Sequence, residues 1–153
     1  MSTSMKIVNK RARFNYNLFE TFEAGIVLVG AEVKAIRKGA IDLSNAHARI
    51  MEDEVFLINA IIPVPEKKDY NAARIRKLLL HKNEIITIKT KIKAKKLTLV
   101  PTKVYTKAHL VKVELALAKS KRSHSKKASL KEKDLDREME RALRGDKGND
   151  ERI

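Results

Sequence analysis

The stretch Val111-Lys112-Val113-Glu114-Leu115-Ala116-Leu117-Ala118 alternates large apolar residues with charged or small ones. A period of two is that of a β-strand with one buried face. The pattern therefore predicts a strand with Val111, Val113, Leu115 and Leu117 in the core and with Lys112, Glu114, Ala116 and Ala118 facing outward. A fold built around this segment is a sheet fold.

Three segments upstream of this strand also predict β structure. Residues 97–100 and 104–105 flank Pro101, and a proline inside an apolar run favours an edge or a bulge. Residues 48–61 carry apolar side chains on both sides of Glu52-Asp53-Glu54, so we expect a hairpin that turns there. The run Gly25-Ile26-Val27-Leu28-Val29-Gly30 predicts a short buried strand, because it is β-branched and lies between glycines.

Two segments depart from the β pattern. Residues 31–38 and residues 81 to about 93 predict short helices, the second because Ile85, Ile88 and Ile92 recur at helical spacing. A few strands with one or two helices at their ends favour a mainly β fold, a small closed or partly closed barrel.

The composition limits the class of protein. The chain has 153 residues and no Cys, which fits one domain with a tail and excludes disulfides, thiolate zinc sites and a Cys nucleophile. The first residues lack the apolar region of a signal peptide, and no segment approaches the roughly 18 apolar residues of a membrane span. We therefore expect a cytoplasmic protein without membrane contact.

The net charge favours an anionic partner. The chain has 34 Lys and Arg against 19 Asp and Glu, a net charge of +15, and most of the excess lies in residues 1–119. Nucleic acid is the leading candidate, and the alternative is a surface that is cationic only for solubility. Most of the seven aromatic residues fall in predicted strands, where we expect them in the core. Recognition of folded RNA by shape and backbone therefore fits better than base stacking.

Catalytic motifs are not evident. The four His residues, 47, 81, 109 and 124, lack metal-ligand spacing, and no phosphate-binding glycine motif occurs. We expect no enzyme activity, no cofactor and no metal. The alternative is a metal-dependent nuclease, whose carboxylates would be Glu23, Glu32, Asp42 and Glu114.

The residues from 120 to 153 differ in composition from those before them. Residues 119–127 hold five cations and nothing to bury, which predicts disorder in isolation. Ser129-Leu130-Lys131-Glu132 is typical of a capping box, and Leu135, Met139, Ala142 and Leu143 form a thin apolar stripe. We expect a tail that becomes helical on binding, and the alternative is an ordinary helix docked on the barrel.

Six motifs in order carry a family resemblance from Asn9 to about Leu143. They are residues 9–13 (NKRAR), 22–26 (FEAGI), 30–37 (GAEVKAIR), 76–82 (RKLLLHK), 97–101 (LTLVP) and 111–118 (VKVELALA). The chain resembles the small protein B family, the SsrA-binding proteins that are bacterial partners of transfer-messenger RNA (tmRNA).

The resemblance implies an oligonucleotide-binding (OB)-type Greek-key β-barrel over residues 1–119, with two or three short flanking helices. It also implies a basic C-terminal tail, residues 120–153, that becomes helical on the ribosome. The implied function is binding of the tRNA-like domain of tmRNA, promotion of its alanylation, and delivery to stalled ribosomes for peptide tagging and ribosome rescue. The implied partners are tmRNA, the small-subunit decoding centre and mRNA channel of the stalled ribosome, and, through the tmRNA, elongation factor Tu and alanyl-tRNA synthetase. The alternative is a generic RNA- or ribosome-binding barrel without a tagging role.

Site residues follow from the matched motifs and from the clusters of cations. The matched motifs give Asn9, Glu23, Arg76, Lys77 and Leu79 as RNA-binding residues, and the charge clusters add Lys10, Arg13, Lys34, Arg37, His81 and Lys82 as phosphate contacts. Glu23 cannot pair with phosphate, so it would accept from a base or a 2′-OH or orient an arginine, unless it forms only a salt bridge at a turn. The predicted ribosome-binding residues of the tail are Lys121, Arg122, His124, Lys126, Lys127, Lys131 and Lys133. Ser125 stands where the family usually has Asp, and Lys96 where it has a glycine.

Overall fold

The computed structural model describes residues 5–65, 69–121 and 137–143. The elements are β1 (Lys6–Val8), α1 (Lys10–Asn15), β2 (Tyr16–Ile26), α2 (Gly30–Arg37), β3 (His47–Met51), β4 (Glu54–Ile58), β5 (Arg76–Leu79), α3 (Lys82–Lys95), β6 (Thr98–Lys107) and β7 (Leu110–Ser120). The predicted mainly β class with a few helices is confirmed. No helix in these residues combines the length and the apolar character needed to cross a bilayer.

The strands form a single antiparallel sheet. Their order is β1-β6-β3-β4-β5-β2-β7, and β7 also pairs with β6. The last strand in this order, β7, is therefore paired with the second strand, β6, as well as with β2. The main core lies on one face of the sheet and includes Ile36 from α2, Ile88 from α3 and the large apolar residues of β7.

β7 confirms the predicted alternation at six of its eight positions. Val111, Val113, Leu115 and Leu117 are buried, and Lys112 and Glu114 are partly exposed. The prediction is wrong for Ala116 and Ala118, which are both buried. Ala118 packs with Ala12 of α1 and Val100 of β6 in a second small cluster. The outer face is therefore more buried than predicted, because α1, which packs on Ala118, was not expected from the sequence pattern.

Two of the predicted turns and irregularities are present. β3 and β4 form a hairpin whose turn residues, Glu52 and Asp53, have φ of 51° and 63°. The pairing of β6 with β7 shifts register between Pro101 and Lys103, which is the bulge expected beside the proline. Both predictions are confirmed.

The predicted buried strand at residues 25–30 is wrong. β2 instead runs from Tyr16 to Ile26, and Val27 and Val29 beyond its end are 46% and 42% exposed. The expectation of core aromatics also fails for Phe14 and Phe19, which are 77% and 54% exposed. β-branched and aromatic residues fit strands, but their burial depends on what covers each face.

Both predicted helices are present with small changes of boundary. Each begins with an acidic residue in its first turn: Glu32 accepts from the backbone N–H of Val29 at 3.0 Å, and Glu84 accepts from that of His81 at 3.1 Å. These bonds satisfy donors that a helix N-terminus leaves free. α1, which pattern reasoning did not predict, begins after Asn9, whose side chain accepts from the N–H of Ala12.

The chain divides into two units, Met1–Lys121 and Arg122–Ile153. In the second unit residues 137–143 are helical, and they include Met139, Ala142 and Leu143 of the predicted apolar stripe. The predicted tail residues Arg122, His124, Lys126, Lys127, Lys131 and Lys133 lie outside the described residues. Lys121 ends the first unit, where it is exposed and its backbone N–H donates to the carbonyl of Asn15 at 3.0 Å.

Candidate nucleic-acid interface

Glu23 is an exposed carboxylate held on the outer face of the sheet. It accepts from the hydroxyl of Tyr105, and the Lys107 ammonium lies 3.5 Å from the same oxygen. The hydrogen bond from Tyr105 is the main reason that the pKa of Glu23 is below its usual value, with Lys107 and Lys112 adding to it. An ionised carboxylate with a free oxygen suits a 2′-OH or a base amino group as donor.

One row of outward residues crosses four strands beside Glu23. Strand pairing aligns Leu79 of β5 with Gly25 of β2, Gly25 with Lys112 of β7, and Lys112 with Tyr105 of β6. Leu79 is 51% exposed, whereas Leu78 is 2% exposed. Leu79 is therefore an apolar side chain that the fold leaves free beside a glycine.

The β6–β7 turn links this row to α2. Arg37 donates from Nη2 to the carbonyl of His109 at 3.1 Å. His109 and Ala108 form the turn with φ of 68° and 51°, and two residue pairs separate this turn from the pairing of Tyr105 with Lys112. Lys34, on the preceding turn of α2, is exposed.

The structure therefore brings together several predicted residues that the sequence separates widely. We call them the Glu23 surface, which comprises Glu23, Gly25, Lys34, Arg37, Leu79, Tyr105, Lys107 and Lys112. Lys77 is two residues before Leu79 on the same side of β5, and it pairs with Glu54 at 2.6 Å. Tyr105, Lys107 and Lys112 are not among the predicted site residues, because only the pairing of β6 with β7 and of β7 with β2 places them beside Glu23.

Asn9 is not available for direct contact with RNA. Its side chain is 4% exposed and donates to the carbonyls of Leu43 and Pro101 at 3.0 and 2.8 Å. Its carboxamide oxygen accepts from Ala12 at 3.2 Å and so caps α1. We therefore correct its predicted role from a contact to a residue that fixes α1, whose Lys10 and Arg13 are exposed.

Arg76 is also buried, so a direct contact from its side chain to RNA is wrong for this conformation. It is 0% exposed and donates to Glu32 from Nε at 3.0 Å and from Nη2 at 2.7 Å. Arg74 and the Tyr70 hydroxyl donate to the same carboxylate. Burial alone would raise the pKa of Glu32, but these hydrogen bonds outweigh it and hold that pKa at about 2. The network ties α2 to the segment before β5.

His81 and Lys82 lie apart from the residues on α2. His81 is the N-cap residue of α3 and Lys82 its first residue, and both are exposed. α3 then runs away from Leu79, since Lys91 near its end pairs with Glu20 in the first half of β2. Lys10 and Arg13 form a third exposed group on α1. The predicted cations thus occupy three places on one fold.

A nuclease centre finds no support in the described residues. They contain no group of three or more His, Asp or Glu side chains that could hold a metal ion. The four carboxylates of that alternative have other partners: Glu23 pairs with Tyr105, and Glu32 with Arg74 and Arg76. Asp42 accepts from Ser44, and Glu114 accepts from Thr102.

Comparison with known proteins identifies the family of the chain that carries this surface. The family model for "SmpB protein" matches residues 6–145. The chain belongs to the SmpB protein family. The SsrA-binding protein of Persephonella marina is 44% identical over 148 residues, 95% of this chain and 97% of the relative. That of Thermosynechococcus vestitus is 45% identical over 150 residues, 94% and 99% of the two chains.

A solved structure supports the fold. A chain described as "tmRNA-SmpB: a journey to the center of the bacterial ribosome" has a TM-score of 0.65 at 42% identity and covers 79% of this chain and 87% of that one. Membership spans the strands that carry the Glu23 surface. The resemblance found in the sequence is thereby confirmed.

Proposed function

We propose that this protein is a trans-translation factor that binds the tRNA-like domain of tmRNA and delivers it to stalled ribosomes for peptide tagging and ribosome rescue. Membership of the SmpB family over residues 6–145 carries this conclusion. The relatives are named SsrA-binding proteins, and the description of the solved relative names tmRNA and the bacterial ribosome. A net charge of +15 supports an RNA partner on physical grounds.

The finer parts of the proposal concern partners and location. The protein acts in the cytoplasm as a binding factor and not as an enzyme. It promotes alanylation of tmRNA by alanyl-tRNA synthetase, and elongation factor Tu joins through the same RNA. The ring of pairings through β6 and β7 supports an OB-type Greek-key barrel. Residues 1–119 are the RNA-binding domain, and residues 120–153 are the tail, which enters the decoding centre and the mRNA channel.

The Glu23 surface is the proposed contact for the tRNA-like domain. Glu23 accepts from a 2′-OH or a base, Leu79 packs on a sugar or base, and Lys34 and Arg37 neutralise phosphates. Lys10, Arg13, Lys77, His81 and Lys82 add phosphate contacts at the borders. Asn9 and Arg76 act through the elements that they hold. The ribosome-binding residues of the tail remain those predicted from the sequence.

A titration of the purified protein against tmRNA and bulk tRNA, at low and at physiological salt, tests this function. We expect a preference for tmRNA that persists at physiological salt, because shape-specific contacts are less sensitive to salt than phosphate contacts. Equal binding to both RNAs that disappears with salt would support the generic RNA-binding alternative. Magnesium-dependent cleavage of the RNA during the titration would support the alternative of a metal-dependent nuclease.

Charge reversal on α2 tests the surface itself. Lys34→Glu with Arg37→Glu should weaken tmRNA binding and reduce the salt slope by about one to two units, because each phosphate contact contributes about 0.7–0.9. Arg13→Glu on α1, a single proposed contact at the border, should reduce the slope by at most about one unit. An unchanged slope in the α2 variant would show that these residues face away from the RNA.

A further inference from the structure

α3 and its C-cap residue form a dense cationic surface that the Glu23 surface does not include. Between residues 82 and 96 there are six lysines and one acidic residue, Glu84. We call the last five the α3 lysine surface: Lys89, Lys91, Lys93, Lys95 and Lys96. Four of them are exposed, and Lys91 is partly exposed. Lys82, at the start of the helix, stays with the border of the Glu23 surface.

The lysines lie in two rows along the helix. At 3.6 residues per turn, Lys89 and Lys93 fall on one line, which Lys96 continues just past the last turn. Lys91 and Lys95 lie on the other flank. The solvent side between the rows carries uncharged residues, namely Asn83, Ile86, Thr87, Thr90 and Ala94, of which Ile86 is 54% exposed, while Ile88 on the opposite side is fully buried. The helix thus presents a neutral face between two lines of positive charge on its flanks.

Helix stability does not account for this arrangement. Lys89 and Lys93, like Lys91 and Lys95, are like charges four residues apart, which destabilises a helix. Lys96 adopts the left-handed conformation, with φ of 53° and ψ of 48°, where glycine is strongly preferred. The helix dipole favours cations in the last turn, but it does not explain a lysine in this conformation or the two rows.

Acidic neighbours neutralise only part of the surface. Lys89 pairs with Asp53 at 2.9 Å, and Lys91 pairs with Glu20. Within the parts of the chain that the structure describes, no ion pair involves Lys93, Lys95 or Lys96. Three adjacent positive charges at the end of α3 therefore remain available to an outside anion.

We propose that the α3 lysine surface binds the backbone of an RNA double helix, and that this helix belongs to the ribosome. The minor groove of duplex RNA is wide and shallow, displays 2′-hydroxyls, and has a line of phosphates on each side. On the neutral face Asn83 and Thr90 offer hydrogen bonds to 2′-hydroxyls, and Thr87, whose hydroxyl donates to the Asn83 carbonyl, can still accept one. The exposed Ile86 would pack on the sugars of the groove, and the two lysine rows would meet phosphates on both strands. Single-stranded RNA offers only one line of phosphates.

The position of the surface favours a second RNA over the one on the Glu23 surface. Thr98, two residues after Lys96, pairs with Ala118, which in turn pairs with Leu18 of β2. Leu18 precedes Glu23 by five residues, and because the bulge between Leu18 and Thr21 takes up one of them, the distance along the strand is about 13 Å. Lys91, which pairs with Glu20, is the lysine of this surface that comes nearest to Glu23 along β2, and Lys96 lies at the far end. The assignment to ribosomal RNA rests on the proposed function, in which tmRNA occupies the Glu23 surface while the protein sits on the ribosome.

Charge removal in the full-length protein tests the surface. The variant is the triple substitution Lys93→Gln, Lys95→Gln and Lys96→Gln, and the probe is a blunt RNA duplex of about 16 base pairs, the length that a double-stranded RNA-binding domain spans. We expect duplex affinity in 0.1 M salt to fall by up to about tenfold per lysine and the salt slope to decrease by about 2.7. Affinity for the isolated tRNA-like domain should change less than twofold.

A matched triple substitution removes the same charge near the Glu23 surface. Lys34→Gln, Lys38→Gln and Lys107→Gln should weaken binding of the tRNA-like domain and leave most of the duplex affinity. Equal loss of duplex binding in both triple variants would mean that only net charge matters, which overturns the proposal. A loss of affinity for the tRNA-like domain in the α3 variant would also overturn the proposal, because α3 would then belong to the same binding site as the Glu23 surface.

Two further measurements separate the proposal from folding and from the proposed function. Lys96→Gly should raise the melting temperature and still weaken duplex binding, so a loss of affinity cannot come from unfolding. Unchanged duplex affinity in this variant would contradict a contact at Lys96.

The α3 triple variant should also bind purified ribosomes more weakly at physiological salt, and unchanged ribosome binding would refute the assignment to ribosomal RNA. If the unaltered protein shows no preference for tmRNA while the duplex results hold, the proposed function fails and the duplex surface stands.

Discussion

Glu32→Gln removes the charge at the centre of a buried network while keeping the size of the side chain. The side chains of Glu32 and Arg76 are both 0% exposed. The substitution therefore leaves the Arg76 guanidinium buried without a counter-charge. Removing one partner of a buried ion pair typically costs about 3–5 kcal/mol, which is a large part of the about 5–15 kcal/mol that holds a domain folded.

The pKa of Glu32 gives a second, independent magnitude. Folding lowers this pKa from 4.5 to about 2, and a shift of about 2.5 units corresponds to about 3 kcal/mol of stability at neutral pH. Because the Arg74 side chain is 33% exposed, water screens its share, and this figure is an upper value. A lowered pKa means that the stabilisation is complete above about pH 4.5 and is lost as the pH falls towards 2. At pH 3 the same linkage leaves about 1.4 kcal/mol.

Urea unfolding at pH 7 and pH 3, followed by far-UV circular dichroism because the chain has no Trp, measures both effects. We expect Glu32→Gln to be less stable than the unaltered protein by about 3 kcal/mol at pH 7 and by less than half of that at pH 3. Glu54→Gln is the control, since Glu54 and Lys77 are 47% and 45% exposed and such pairs contribute about 0–1 kcal/mol. A difference below about 1 kcal/mol at pH 7, or an equal difference at both pH values, would refute the reasoning.

Three other substitutions test separate parts of the fold and the site. Asn9→Ala should cost about 2–3 kcal/mol, seen in thermal melts, because it leaves two buried carbonyls and the first turn of α1 without partners; an unchanged melting temperature would return Asn9 to the RNA contacts. Lys96→Gly should stabilise the fold by about 1 kcal/mol in urea unfolding, since glycine adopts the left-handed conformation without strain, and a loss of stability would contradict this. Tyr105→Phe should raise the pKa of Glu23, followed by NMR of the side-chain carboxyl, because its main lowering cause is removed; a pKa that stays put would mean that the cations alone lower it.

The elements that sequence predicted well are those with a strong local signal. The alternation of β7, the acidic turn between β3 and β4, and the bulge at Pro101 all depend on neighbours in the chain. The strand expected at Val27 and Val29 was wrong because burial depends on covering elements, which local pattern does not report. α1 was not predicted because its six residues, three of them charged, are too few to show an apolar period.

The site was predicted in part for the same physical reason. Clustered cations on α2 are visible in sequence, and so is the family motif around Glu23. The partners that orient Glu23 are not visible, because Tyr105 and Lys107 are more than 80 residues away and come close only through the pairing of β6 with β7 and β7 with β2. A motif therefore locates the carboxylate, and the sheet register supplies its electrostatic setting.

Residues that share a binding motif have two physically different roles in this fold. Asn9 and Lys10 are adjacent, yet the first is 4% exposed with every polar atom of its side chain engaged and the second is exposed. Arg76 and Lys77 show the same contrast on β5, because alternate residues of a strand face opposite sides. Loss of RNA binding on changing Asn9 or Arg76 would follow from displacement of α1 or of the segment before β5. Such variants must lose stability together with affinity, whereas changes at Lys10 or Lys77 must lower affinity and salt slope alone.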